Sequence, residues 1–161
     1  MAPAAGFLNL SALKSPPFRS YVVSLHLALN GFWAQRVIIG WLAWEMTGSA
    51  GFVGLVAFLN FFPTLLVSPL FGVFADRIDV RKGSILSYAL AGILSALFAG
   101  LCIFGSPTPV LLALFSFVTG VISSANHPIR MSLTPRLAPA GDLPSVVAIT
   151  SLNFNMSRLT G

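Results

Sequence analysis

The stretch Ser84 to Gly105, SILSYALAGILSALFAGLCIFG, runs 22 residues without Asp, Glu, Lys, Arg or His. A hydrocarbon core about 30 Å thick is crossed by about 20 apolar helical residues, so this stretch predicts a membrane-spanning helix. Working outward, Gly51 to Ala75 is equally uncharged, although Pro63 and Pro69 interrupt it, and Pro109 to Ala125 is shorter but also uncharged. Tyr21 to Met46 is rich in Val, Leu, Ile and Trp while holding His26, Arg36 and Glu45. A fifth apolar helix begins near Val146 and, at 1.5 Å per residue, covers only about 24 Å by Gly161. The expectation is an all-α polytopic membrane helical bundle: helices at 21–46, 51–75, 84–105 and 109–127, and the start of a fifth at 146–161.

Composition agrees with that reading. The 161 residues are 56% hydrophobic and 8% charged, with mean hydropathy +0.88; a soluble domain carries roughly 25% charge. The net charge of +5 would suggest nucleic acid only if a basic patch lay on a polar surface, and that surface is missing. No nucleic-acid partner is expected. The single cysteine, Cys102, excludes an intramolecular disulfide and a multi-cysteine metal site. Residues 1–18 lack the charged, apolar and cleavable segments of a secretory signal and read as a cytoplasmic leader. Ser15-Pro16-Pro17 ends it, and the first helix is expected near Arg19 or Tyr21, since proline suits a helix start.

Loops retained in the cytoplasm carry the Lys and Arg excess. Lys14 and Arg19 precede helix one, Arg77, Arg81 and Lys82 separate helices two and three, and Arg130 and Arg136 separate helices four and five. All seven fall on one side, whereas Thr47 to Ala50 and Ser106 to Thr108 carry no positive charge. The amino terminus is therefore expected in the cytoplasm, and the cell's inner membrane is the expected location.

Gly72 to Gly83 reads GVFADRIDVRKG, with five charges in the seven residues from Asp76 to Lys82. A solvated turn would explain Arg and Lys but not two aspartates, so a folded gate is the stronger reading. There Gly72 would allow close helix approach, Asp76 would accept hydrogen bonds or face a helix amino terminus, and the cations would pair with acids or headgroups. The pattern Gly-x-x-x-Asp-Arg-x-x-x-Arg-Lys, Gly72 to Lys82, resembles the cytoplasmic loop signature of the major facilitator superfamily, with Asp79 standing where a glycine is common. The segments Trp41 to Ser49, Asn126 to Arg130, Asp142 to Pro144 and Ser151 to Gly161 resemble its enterobactin-exporter-like branch. The resemblance implies twelve helices in two six-helix halves with inverted three-helix repeats and a substrate path between the halves. It makes residues 19–161 part of the amino-terminal half, with the carboxy-terminal half of the same chain as the missing partner. It also makes Gly72, Asp76, Arg77, Arg81 and Lys82 the gate that steadies the outward-facing state. Relatives that exchange drugs for protons often carry an arginine where this chain has Ser116. No Asp or Glu lies deep in a complete span, so no obvious proton carrier is visible.

Polar residues within spans supply the candidate substrate path. Arg36 lies about 4 Å past the midpoint of residues 21–46 by helical rise, where an arginine costs roughly 2.5 to 3.5 kcal/mol and faces a cavity or partner unless its stem snorkels. Gln35 is beside it. Ser151, Asn155 and Arg158 recur at i, i+4 and i+7 on one face of helix five, readable as a cavity lining with Arg36 or as interhelical hydrogen bonding. Asn30 and Asn60 are secondary candidates that also read as packing glue. His26, His127 and Cys102 read as structural, since no ligand cluster or catalytic constellation accompanies them; no metal, cofactor or enzymatic activity is expected. Gly92, Ala96 and Gly100, and Gly120 with Ser124, form small-residue faces for close packing.

Together these features predict a secondary transporter, an exporter of a small amphipathic drug-like or siderophore-like molecule by alternating access, bathed in membrane lipid. The alternative is a small membrane scaffold whose arginines pair with another protein. The topology has a direct check: a cytoplasm-active reporter fused after Lys82 should be active and one fused after Gly48 inactive, with the opposite pattern for a reporter active only outside.

Overall fold

Three helices of the computed structural model begin where a side-chain cap satisfies a first-turn backbone N–H group. Following a 3-10 turn at Ser11–Lys14, the chain forms α1 (Pro16–Thr47), α2 (Ala50–Ala75), α3 (Val80–Phe104), α4 (Pro109–Leu137) and α5 (Leu143–Thr160). The structure describes residues 11–75, 79–105, 107–137 and 142–161, with side chains for all of these except 67–75, 127, 135 and 136. Ser49 Oγ accepts the Phe52 N–H at 3.3 Å and starts α2. Thr108 Oγ1 accepts the Leu111 N–H at 3.3 Å and starts α4 with Pro109 at its first position. Asp79 Oδ1 accepts from the N–H groups of Arg81 (3.0 Å) and Lys82 (3.4 Å) and starts α3. These are the short oxygen-bearing side chains that N-caps favour. Gly48, at φ +60°, closes α1 in the left-handed conformation that a Cβ would strain.

Four expected boundaries shift by three residues or more: α5 starts at Leu143 instead of 146, and the other three move for physical reasons. α1 starts at Pro16, inside the presumed leader, because the N–H groups missing from Pro16 and Pro17 would have had no helical partner anyway. α3 starts at Val80, not Ser84, so Arg81 and Lys82 occupy its first turn instead of a loop. The aspartate at position 79 causes this by capping the helix. α4 continues ten residues past the expected end at 127 to Leu137, running through Pro128. Breaking the helix would expose more backbone than the single ladder bond the proline removes.

Among the described residues three helices are long and apolar enough to cross a membrane, Pro16–Thr47, Val80–Phe104 and Pro109–Thr134, and Ala50–Leu66 is a shorter apolar helix. The chain is an all-α membrane helical protein. Phe104 is 90% exposed, Leu159 82% and Leu65 80%, surface that water would penalise and lipid solvates.

The chain divides into two compact units, one of residues Met1–Gln35 with Leu133–Gly161 and one of Arg36–Ser132. In the first, Ala12, Phe18, Val146 and Ile149 form the apolar core, with Tyr21 and Leu137 packed against it. In the second, Ile39 and Ala43 of α1, Val56 of α2, Phe98 of α3 and Leu112 and Phe115 of α4 form the core; the rings of Phe98 and Phe115 stack at 4.1 Å. Lipid tails are as apolar as these side chains, so the helices are held by close packing and interhelical hydrogen bonds rather than by escape from water. Closest approach falls at Gly120, where an added Cβ would meet the Asn60 carbonyl oxygen and lie 3.0 Å from its carbon. Gly120→Ala should therefore destabilise the full-length protein by about 1–3 kcal/mol. Gly54→Ala, where nothing lies within 4 Å, should be neutral or stabilising by up to about 1 kcal/mol through helix propensity; thermal unfolding in detergent checks both signs.

Candidate functional site

In the first unit α1 and α5 meet along a polar seam. Asn153 of α5 is buried and donates its amide N–H to the Val22 carbonyl at 3.1 Å. That bond turns its Oδ1 toward α1, where His26 Nδ1 lies 2.6 Å away. Ser157, one turn further along α5 and fully buried, places Oγ 2.9 Å from the same nitrogen. Asn30, one turn after His26, donates to the His26 carbonyl at 2.9 Å and to Ser157 Oγ at 3.5 Å. Its Oδ1 accepts the Thr160 hydroxyl at 2.5 Å. The seam closes at Gly161, where an added Cβ would stand 3.0 Å from the Asn30 Cα. Its other end is polar too: Ser11 donates to the Asp142 carboxylate, Ser145 Oγ accepts the Ala12 N–H at 3.3 Å, and the hydroxyls of Tyr21 and Thr134 lie 3.0 Å apart. Beside the seam, Trp33 packs edge-on against Phe154 at 5.8 Å and carries the Arg158 guanidinium 5.5 Å above its ring.

In the second unit Asn60 of α2 donates to the Ser116 carbonyl and to Thr119 Oγ1 of α4, both at 3.2 Å, where Gly120 lets the backbones close. The Arg36 guanidinium lies 4.4 Å from the centre of the Phe61 ring, a geometry that stabilises a cation in apolar surroundings. Ser87 of α3 donates to Asn126 Oδ1 of α4 at 2.5 Å. Next to that bond lies an apolar groove of about 370 Å³ between α3 and α4, lined by Leu86, Leu90, Val121 and Ile122 among others, with Lys82 at its end.

The sequence candidates separate on this geometry. Asn30 and Asn60 both sit in interhelical hydrogen bonds, and Arg36 and Gln35 are half-buried on α1. Ser151, Asn155 and Arg158 share a face, but it is the exposed one; Asn155 donates to Ser151 O of its own helix at 2.9 Å. The face of α5 that meets α1 carries Ser145, Asn153 and Ser157, which sequence reading missed. The signal was their spacing in multiples of four around Ile149. Of the loop residues, Gly72 lies in the last turn of α2, Arg81 and Lys82 are exposed at the start of α3, and Asp76 and Arg77 fall outside the described residues. The side chain of His127 does so too.

Over residues 8–161 the sequence matches the family described as transmembrane secretion effector, a branch of the major facilitator superfamily. The chain belongs to this family. A curated relative, the staphyloferrin A transporter of Staphylococcus aureus (strain NCTC 8325 / PS 47), is 24% identical over 141 residues, 86% of this chain and 35% of the relative. The chain thus spans about a third of that relative's length. No solved structure matches it significantly. For a transmembrane secretion effector, the two features to weigh are the α1–α5 seam and the cation on Phe61, because uncompensated polar groups in spanning helices are costly. Asn153→Ala removes two interhelical bonds, leaving His26 Nδ1 with Ser157 alone and the Val22 carbonyl with its helical ladder bond alone, and should destabilise the full-length protein by about 1–3 kcal/mol. Asn155→Ala should stay within about 0.5 kcal/mol; detergent unfolding midpoints distinguish the two.

Proposed function

We propose that the chain is the amino-terminal part of a secondary active transporter that exports a small amphipathic, siderophore-like molecule by alternating access, sited in the cell's inner membrane with its amino terminus in the cytoplasm. Membership in a family named for secretion supports export, and the relative named for staphyloferrin A supports a siderophore-like cargo. The observation that carries the reading is Arg36: a half-buried cation on a spanning helix, laid over Phe61. Such a group has a guanidinium fork to offer a carboxylate or hydroxamate oxygen and a ring beside it to offer the apolar part of the same molecule. Gln35 adjoins it in sequence, and Asn60 and Asn30 hold the neighbouring helix crossings in register.

Positive charge on alternate helix ends supports the orientation: Lys14 and Arg19 at the start of α1, and Arg81 and Lys82 at the start of α3. In this reading Gly72, Asp76, Arg77, Arg81 and Lys82 gate the cytoplasmic side, and Ser151, Asn155 and Arg158 offer a further polar face that the remaining helices of the full-length transporter would cover.

The test is export from everted vesicles containing the full-length protein, with iron-free staphyloferrin A and ethidium as probes. Arg36→Ala should lower staphyloferrin A export by at least about tenfold, the loss of one charge-assisted contact, while Arg36→Lys retains part of it and membrane amounts stay equal. Undiminished export by the alanine variant would remove Arg36 from the path, and failure of the unmodified protein to export either probe would reject the cargo class.

A further inference from the structure

Two ladders of residues one turn apart bound the groove between α3 and α4: Lys82, Leu86 and Leu90 on one helix, Val121, Ala125 and Ile129 on the other. Small buried residues, Ser87 and Ala125, keep its floor low, while Leu86 at 61% exposure and Leu90 at 45% stand out as a wall. The Ser87 hydroxyl is turned to the Asn126 amide oxygen, so the groove presents hydrocarbon along its length. At one end it presents an ammonium. Lys82 is exposed there, with Arg81 exposed beside it, and among the described residues neither cation has a carboxylate partner. The nearby Asp79 carboxylate is turned to the backbone N–H groups that it caps.

The dimensions select the occupant. From Lys82 to Leu90 the helix rises about 12 Å, most of the roughly 15 Å that one leaflet contributes to the hydrocarbon core. A groove of about 370 Å³ over that length has a mean section on the order of 30 Å². Methylene groups in contact at about 4 Å need a section on the order of 20 Å², whereas a helix about 10–12 Å across needs roughly 80–110 Å². The groove therefore fits a single lipid tail and is too narrow to seat a helix. The cations at its mouth select the headgroup, because anionic lipids of the cytoplasmic leaflet attract Lys and Arg near the surface, and basic pockets between spanning helices on that side receive phosphate-bearing headgroups.

Resting on the reading above for its orientation alone, we propose that the α3–α4 groove binds one anionic phospholipid of the cytoplasmic leaflet. One tail lies between the two ladders, and the headgroup phosphate meets the Lys82 ammonium. The division of labour follows from the side chain itself: the apolar stem of a lysine belongs with hydrocarbon and its charged end with the headgroups. Arg81 adds long-range attraction at the same level. Tail and charge are both needed, since a tail alone dissolves equally well in the surrounding lipid.

Two measurements on the full-length protein decide the matter. In detergent, with native mass spectrometry counting retained lipid, phosphatidylglycerol should bind about fivefold more tightly than phosphatidylcholine with the same tails, the increment of one cation beside an anionic headgroup. Lys82→Gln should remove that preference, and Leu90→Trp, which fills the groove about 12 Å from the cation, should lower retention of both lipids severalfold. In nanodiscs, phosphatidylglycerol carrying a diazirine midway along one tail should label α3 within residues 83–90 or α4 within 121–129 of the unmodified protein. Equal retention of the two lipids, a preference that survives Lys82→Gln, retention untouched by Leu90→Trp, or label confined to other helices overturns the proposal; the last is the result if the remainder of the full-length chain covers the groove. A reporter that places Lys82 outside the cell overturns it as well. Failure of the unmodified protein to export either probe rejects the transporter reading and leaves a lipid site that passes these measurements standing.

Discussion

A polar group surrounded by lipid has no water to turn to, and the structure of this protein follows from that constraint. Hydroxyls inside the helices bond back to their own backbone: Ser95 to the Ala91 carbonyl, Ser116 to Leu112 and Thr119 to Phe115. Helix starts are closed by Ser49, Asp79 and Thr108. Other side chains, chiefly amides and the His26 imidazole, bond across to a neighbouring helix. Asn60 ties α2 to α4, and Asn153, Asn30 and His26 tie α1 to α5.

The two crossings use the same device. In each, an asparagine on one helix stands where a glycine on the other admits its backbone, Asn60 against Gly120 and Asn30 against Gly161. Glycine removes the Cβ that would hold the helices apart, and the amide then reaches a serine on the facing helix, the Ser116 carbonyl in one case and Ser157 Oγ in the other. Dispersion between closely spaced backbones and one or two directional bonds set the register where apolar side chains, equally soluble in lipid, would leave it loose. A ring-borne cation completes each unit, Arg36 on Phe61 and Arg158 on Trp33, since an aromatic face partly replaces lost hydration.

Much of this was legible in the residues themselves. Uncharged runs of membrane length define the spans, because hydropathy over about 20 residues depends on composition and not on neighbours. The loop pattern from Gly72 to Lys82, with the segments near both ends of the chain, pointed to the superfamily that the family match then showed. Less visible was the dual use of Asp79: it reads as one more loop charge, yet its carboxylate caps α3 and draws Arg81 and Lys82 into the first turn. The end of α4 was less visible as well: the uncharged run stops at Ala125, yet the helix continues through Pro128 to Leu137.

The face of α5 marks the division most clearly. Ser151, Asn155 and Arg158 form one polar stripe and Ser145, Asn153 and Ser157 another, and Asn153 lies about 200° around the helix from Asn155. By sequence alone nothing shows which stripe is buried, and the charged one looks the more important. Only the approach of α1, with His26 and the Val22 carbonyl presented to it, selects Asn153 and Ser157 for burial. Local chemistry along the chain determined where helices run and where they are capped. Which side of a helix is buried is a property of its neighbour, and the tertiary structure alone decided it.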